Sequence, residues 1–390
     1  MRIAFVTLEY GSSIAGGAGT YANCLAKGLG SMGIDVHVVA PSNELTAMEE
    51  RTTGVEVHHP PNIWRHTLPA VSFWLRLPGE IARLHETYKF DIVHFNGLCY
   101  WFLKRRLCDS PHVLTIHHPI KGISVVNKIS FVNRVISISG ENSVILPLIE
   151  SRAISGIDSI ICVSEYTRTE ILKKYPNYNR TASVTQLGAR SIWEFNSDSE
   201  KSDILQRLNL ISTPYMLFVG RVDDPRKNLS FLLESLALIK EDSCLKLVIV
   251  GSGDFTRAEA KIGTLGLRDM IVYAGHVSEK DLINLYRGCI FLVSTSLMEG
   301  FGLSIVDAMA AGKPVIAPRV GAIPEIVREM ENGIIYESGD SRGLSDAIFR
   351  LWNDTELARS MGERNAEKAR SSNSWMRVAE ETVKHYRSLL

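Results

Sequence analysis

The chain has 390 residues, enough for two domains each with its own core. Hydrophobic residues make up 45% and charged residues 22%, the balance of a globular enzyme, and 43 Lys and Arg against 43 Asp and Glu leave no formal net charge. Neutrality argues against nucleic acid as the main partner, no run of about 18 apolar residues suggests a membrane-spanning helix, and six cysteines without a CxxC pair point to reduced thiols in a cytoplasmic protein rather than to disulfides or a zinc site.

In chain order, residues 3–7 (IAFVT) form the short apolar run of a parallel strand buried on both faces, too soon interrupted for a signal peptide. A glycine-rich loop over 11–19 follows. A helix is predicted over 21–32, with Leu25, Leu29 and Met32 on one face, and Gly33 ends it. Strands are expected at 36–40, 91–95, 112–116, 159–163 and 183–186, with helices at 146–156 and 165–174. Residues 189–214 are polar, lose periodicity and end in Pro214, as a linker would. A second series then begins. Its strands are expected at 215–219, 245–250, 271–274, 290–294 and 315–317, and its helices at 229–239, 257–265, 280–287, 304–311, 344–353 and 356–371. Two such alternations predict an α/β protein of two parallel-sheet domains, 1–188 and 215–372, with ligands at the carboxyl ends of the strands. The amphipathic segment 373–390, carrying Trp375, Val378, Ala379, Val383 and Tyr386, could pack on either domain.

Four places carry chemistry. The first is Met298-Glu299-Gly300-Phe301-Gly302-Leu303-Ser304 and on to Met309, after a predicted strand and opening a helix. Small residues let the backbone approach a ligand, and the amides of the helix's first turn make an anion site. Glu299 stands just before that turn, and Asp307 about two turns further along. The second is Gly220-Arg221-Val222-Asp223-Asp224-Pro225-Arg226-Lys227, where cations at a strand's carboxyl end suggest a bound anion. The third is the loop with Gly16 and Gly17, whose spacing does not match GxGxxG. The fourth is His117-His118-Pro119 at the end of a strand, where a structural histidine competes with a ligand-facing one.

With these in hand, the sequence resembles the retaining glycosyltransferases of the glycogen-synthase-like group (family 4, "group 1"). The motifs are GGAGTYANCLAKGLGSMGIDVHVVAP, FDIVHFNG, TIHHP, DSIICVSEYTR, VGRVDDPRKN, IVGSG and TSLMEGFGLSIVDAMAAGKPVIAPRVGAIPEIV. The resemblance implies the GT-B fold: two Rossmann-like domains with parallel sheets facing across a cleft, the acceptor on the N-terminal domain and the donor on the C-terminal one. It implies transfer of a sugar from a UDP- or GDP-sugar to a glycan or lipid-linked acceptor. By position, Arg221 and Lys227 would hold the diphosphate and Glu299 the sugar. The backbone of Gly300, Phe301, Gly302, Leu303 and Ser304 would meet phosphate and sugar hydroxyls, and Asp307 the ribose. His117 would lie beside the sugar, with Gly16 and Gly17 near the phosphates or acceptor. Gly251 and Gly253 would line the donor site, and His276 and Val277 would meet the nucleobase. No metal or other cofactor is expected, because protein cations and a helix N-terminus supply the positive charge.

The sequence departs from the pattern at Asp307, normally Glu, at His118, often Asp, and at Leu187 before Gly188, normally Asn. Asp223-Asp224 invites comparison with a metal-binding acidic pair but reads better as loop-forming. A nucleotide-dependent oxidoreductase fails on glycine spacing. A non-catalytic sugar-nucleotide binder, and a phosphorylase or epimerase on the same fold, stay open. Residues 64–84 mix aromatics with Arg65, Arg76 and Arg83, and Lys104-Arg105-Arg106 is a basic cluster; both could face anionic lipid at the cytoplasmic membrane face, or be core aromatics and a solvated face.

Overall fold

The computed structural model describes residues 1–11, 16–41, 48–52, 54–60, 69–97, 107–118, 145–190, 203–239, 245–372 and 374–390. The chain falls into two units, 1–187 together with 375–390, and 188–374.

The first unit is built on strands β1 (Arg2–Val6), β2 (Asp35–Val39), β3 (Met48–Thr52), β4 (Val55–His59), β5 (Ile92–Asn96), β6 (His112–Ile116), β7 (Ser159–Cys162) and β8 (Thr181–Val184). They lie in the order β3-β4-β2-β1-β5-β6-β7-β8, parallel except for β3, which runs antiparallel to β4. The helices are α1 (Gly17–Ser31), α2 (Pro69–Tyr88), α3 (Ile145–Gly156) and α4 (Glu165–Lys174). The central strands β5, β6 and β7 are buried along their whole length, and polar residues within them are hydrogen-bonded, His94 to Tyr386 and Thr115 and Asn96 to His117. Phe73, Trp74, Leu77, Ile81 and Leu84 of α2 pack with Val93, Phe95, Leu114 and Ile160 in one core. Ser164 caps α4, its hydroxyl accepting from the Thr167 amide.

The second unit contains β9 (Tyr215–Val219), β10 (Lys246–Val250), β11 (Ile271–Gly275), β12 (Leu292–Val293), β13 (Val315–Pro318) and β14 (Gly333–Tyr336). All are parallel, in the order β11-β10-β9-β12-β13-β14. Its helices are α5 (Ile204–Arg207), α6 (Leu229–Ala237), α7 (Thr256–Leu265), α8 (Glu279–Gly288), α9 (Leu303–Ala310), α10 (Ile323–Ile326), α11 (Ser341–Asn353) and α12 (Thr355–Ser372). Leu232, Leu236, Leu247, Ile249, Phe291, Ile316, Leu344 and Ile348 form its core. Both sheets have the parallel, helix-flanked form of Rossmann-like domains.

The expected linker over 189–214 falls inside the second unit, which runs from Gly188 to Ser374. The reason is local bonding that polarity conceals. Arg190 bonds to Asp307 of α9 through its backbone and its guanidinium, and Arg207 of α5 pairs with Asp281 of α8 at 3.1 Å. The last helix, α13 (Trp375–Arg387), returns to the first unit and packs on α1. A Cβ added to Gly28 of α1 would meet Ala379 at 3.1 Å, so small residues set this close approach. Its polar side chains enter the sheet: Tyr386 bonds to His94, His385 to Ser159 and Ser183, and Arg377 donates to the carbonyl of Gln186.

Candidate active site

In the second unit the candidate donor residues collect at the carboxyl ends of four strands. Gly220 and Arg221 follow β9, Gly251 and Gly253 follow β10, His276 and Val277 follow β11, and the 299–304 segment follows β12 and opens α9. In the sheet these strands are consecutive neighbours, β11-β10-β9-β12, so residues up to 84 positions apart in the chain share one edge.

The segment after β9 is fixed by its own acids. Asp224 caps the 3-10 turn Pro225–Lys227 by accepting from the Arg226 amide at 2.9 Å, and pairs with the Arg226 guanidinium at 2.7 Å. Burial raises the Asp224 carboxyl, but Arg226 outweighs it and holds the group below the usual carboxylate range. Asp223 pairs with Arg221 at 3.2 Å. Both acids are thus engaged by arginines of their own loop. The turn presents Lys227 over Gly220, and its Nζ meets Glu299 Oε1 at 2.5 Å. The Ser296 hydroxyl donates to the same oxygen at 2.8 Å. Two further bonds tie the loops after β9 and β12 together: the Leu297 amide donates to the Arg226 carbonyl at 2.7 Å, and the Thr295 hydroxyl to the Lys227 carbonyl at 2.8 Å.

Burial pushes the Glu299 carboxyl up; the Lys227 ammonium, the Ser296 hydroxyl and Arg226 together outweigh it and keep Glu299 ionised. The Glu299 carbonyl accepts from the Ala322 amide at 3.0 Å, and Gly321 runs so close beneath it that an added Cβ would lie 2.1 Å from that oxygen. Gly251 crosses Gly220 as tightly, its imaginary Cβ 1.9 Å from the Gly220 carbonyl oxygen at a φ of +154°. Helix α9 starts at Gly302, which has no side chain to cap it; Ile305 and Val306 bond back to the Gly302 carbonyl, and the helix start leaves the amides before them directed outward. Phe301 is buried under this turn, while Leu303 and Ser304 are half-buried.

Asp307 is placed differently from the ribose contact the resemblance implies. It is 1% exposed, its Oδ1 accepts from the Arg190 amide at 2.9 Å, and its Oδ2 lies 3.0 Å from the Arg190 guanidinium. Burial raises its carboxyl above the ordinary value against the pull of Arg190. Its position on the inner face of α9 commits it to holding the entry of the chain into the second unit.

In the first unit, His117 follows β6, and Gly16 and Gly17 open α1 after β1. Two residues not singled out from the sequence shape these positions. Asn96, at the end of the neighbouring β5, accepts from His117 Nε2 at 2.6 Å. Its amide nitrogen donates to Thr7 Oγ1 and to the Ala18 carbonyl, both at 3.0 Å. Because a carbonyl can only accept, the Asn96 amide has one orientation, and His117 must carry its proton on Nε2, leaving Nδ1 as an acceptor. Burial, with His118 nearby, pushes His117 down to about 3, so the ring is neutral. Tyr21 packs edge-on against it at 4.9 Å. Glu9 is the second such residue: its Oε2 accepts from the Gly16 amide at 3.1 Å. Adjacency of β1, β5 and β6 in the sheet is the signal that could have found Asn96.

Of the stretch 64–84, Phe73 and Trp74 are core, Leu75 and Arg76 face outward, and Arg83 pairs with Glu80 at 2.6 Å. Residues 64–68, Lys104-Arg105-Arg106 and Pro119 lie outside the described residues. Among the described residues no helix is long and apolar enough to cross a membrane.

Comparison with known proteins gives the family and the fold. Residues 15–186 match the family model for glycosyltransferase family 4, and residues 201–368 the model for glycosyl transferases group 1. An uncharacterised glycosyltransferase of Methanocaldococcus jannaschii is 28% identical over 99% of this chain and 98% of its own length. Sucrose-phosphate synthase from Thermosynechococcus elongatus has the same fold, with a TM-score of 0.83 at 21% identity over 100% of this chain and 98% of that one. The Anabaena protein HepE, solved in complex with UDP-glucose, matches with a TM-score of 0.74 at 19% identity, over the whole of both chains. With both Rossmann-like units matched in turn, the chain belongs to the family 4, group 1 glycosyltransferases and is a glycosyltransferase of GT-B fold.

Proposed function

We propose that the protein transfers a sugar from a nucleoside diphosphate donor to a glycan or lipid-linked acceptor, with retention of anomeric configuration and without a metal ion. The observation that carries this reading is the Lys227–Glu299 pair, held between two neighbouring strand ends beside the uncapped start of α9. A cation, an ionised carboxylate and a set of outward amides suit three parts of one donor. Lys227 and Arg221 take the diphosphate, the first turn of α9 takes phosphate and sugar hydroxyls, and Glu299 takes a sugar hydroxyl. The relative solved with UDP-glucose supports a donor of this class.

In the step itself the bond from the anomeric carbon to the diphosphate oxygen breaks, and the acceptor oxygen bonds to that carbon on the same face. The acceptor's proton passes to the departing phosphate oxygen. Glu299 is already bound by Lys227 and Ser296, which makes it a poor nucleophile and a good hydroxyl acceptor. The departing charge is offset by Lys227, Arg221 and the helix amides, the part that a divalent cation plays elsewhere. Neutral His117, with its Nδ1 an acceptor, positions a hydroxyl rather than carrying charge.

The test is a donor screen. Thermal stabilisation of the full chain by a panel of nucleoside diphosphates identifies the base, and NMR of the product linkage reads the stereochemistry. Transfer with no stimulation by added magnesium or manganese is expected. An inverted linkage, or activity that depends on either ion, would overturn the corresponding half of the proposal.

A further inference from the structure

Strands β2 and β4 place three metal-ligating side chains on one face of the first unit's sheet. In their parallel register His37 pairs with Glu56, and Val39 with His58, so His58 lies on the same face as Glu56, one pleat along. His37 Nδ1 is 2.9 Å from His58 Nε2, and His58 Nε2 is 3.9 Å from Glu56 Oε1; one atom from each of the three residues falls within 4.8 Å of the others. The two imidazoles stack at 5.2 Å with planes 10° apart. Both histidine side chains are buried, and Glu56 is 11% exposed.

We propose that His37, Glu56 and His58 form a binding site for a divalent transition-metal ion of the zinc class, separate from the sugar-transfer residues. Three features favour an ion over a plain histidine pair. The donor set is two imidazoles and a carboxylate, which suits zinc and not magnesium or calcium. The outer groups are already in place: Asp35 Oδ1 lies 3.3 Å from His37 Nε2, the nitrogen pointing away from the cluster, and the Tyr88 hydroxyl donates to Glu56 Oε1 at 3.0 Å. A carboxylate behind a ligating imidazole and a hydroxyl on a ligating carboxylate are the partners that orient metal ligands. Asp35 is in turn fixed by Arg2 at 2.6 Å. Finally, Tyr88 and Phe90 wall the site, with ring centroids 4.1 and 5.3 Å from His37, and aromatic walls limit competition from water.

The spacing asks for little movement. Zinc at ~2.0–2.1 Å from each donor sets neighbouring donors roughly 3.3 Å apart in a tetrahedron, so the 2.9 Å contact opens slightly and Glu56 closes by about 1 Å. A fourth position is left for water. The ion would clamp β2 to β4, joining neighbouring strands through side chains as well as backbone.

The experiment uses the tag-free, full-length chain stripped of metal by chelator and then dialysed. Titration with Zn2+ followed by calorimetry, and with Co2+ followed by its visible absorption, should show one ion per chain and the bands of a four- or five-coordinate site. His58→Gln should abolish that uptake. Asp35→Asn and Tyr88→Phe keep all three ligands and should weaken Zn2+ binding roughly 10–100-fold. If His58→Gln does not fold, these two variants decide. Wild-type protein that takes up no Zn2+, or uptake undiminished in His58→Gln or, failing that, in both Asp35→Asn and Tyr88→Phe, would overturn the site.

Discussion

The two units present their candidate residues in opposite electrical states. In the second unit Glu299 is ionised and paired with the Lys227 ammonium, a half-buried charge pair. In the first unit His117 is neutral, its proton position dictated by Asn96 and its charged form disfavoured by burial. The difference matches two tasks. A dianionic leaving group needs fixed positive charge, while a neutral hydroxyl needs a directed acceptor. Charge reads from sequence as composition at a strand end; direction depends on a partner from another strand.

The largest effect should come from removing the charge. Lys227→Ala should abolish most transfer and weaken nucleoside diphosphate binding by about 2–5 kcal/mol, with the fold kept. It also strips Glu299 of the ammonium that offsets its burial, so the Glu299 carboxyl should rise, and the acid limb of the pH–rate profile should move to higher pH. Diphosphate affinity equal to wild type, measured by calorimetry, would break the comparison on its charged side.

Glu299→Gln should act next most strongly. The amide keeps the shape but loses a charged acceptor, worth about 1.5–3 kcal/mol, or roughly ten- to a hundred-fold in turnover. Free nucleoside diphosphate binding should be nearly unchanged, which separates a sugar contact from a phosphate contact. Turnover and product-inhibition constants measured together decide it.

On the neutral side, Asn96→Ala leaves His117 Nε2 without its acceptor and frees the ring to turn. A loss of about 1–3 kcal/mol in kcat/KM is expected. Asn96→Asp sharpens the point: a carboxylate beside the ring favours imidazolium, so the His117 pKa should rise and activity should gain a new limb on the acid side, absent in wild type. Histidine NMR across that range reads the titration directly. A ring that already titrates near neutrality in wild type would show that burial does not control it.

Much of the fold could be read from hydrophobic alternation. The strands at 112–116 and 215–219 and the helix at 165–174 keep their predicted bounds because apolar runs and caps mark both ends. The hairpin β3–β4, helix α2 and strand β14 were not foreseen. β4 reads Val-Glu-Val-His-His, and its inward polar side chains find partners on other elements, His58 on His37 of β2 and Glu56 on Tyr88 of α2. Helix α2 contains Pro78, which sequence rules treat as a break. The candidate donor residues stood out because glycines and cations cluster at strand ends. Asn96, Glu9 and the Arg190–Asp307 bond were not, since each joins residues that only the folded sheet brings together.

Asp307 gives the smallest effect on transfer and the cleanest separation of site from scaffold. The resemblance assigns it to the ribose, so Asp307→Asn would then raise the donor KM and leave stability alone. Its environment argues the reverse. The carboxylate is 1% exposed and both of its oxygens face Arg190, whose own side chain is 23% exposed and so keeps some solvent. Asparagine retains an acceptor for the Arg190 amide but removes the charge facing the guanidinium. A pair with one partly solvated member is worth less than a fully buried one, so a loss of about 1–2 kcal/mol in unfolding free energy is expected, well below the cost of a sealed pair. Donor KM and kcat should stay within about two-fold of wild type, a shift of under 0.5 kcal/mol. Thermal unfolding and steady-state kinetics on the same preparation test both halves: a raised donor KM with an unchanged melting temperature would return Asp307 to the ribose and detach it from Arg190.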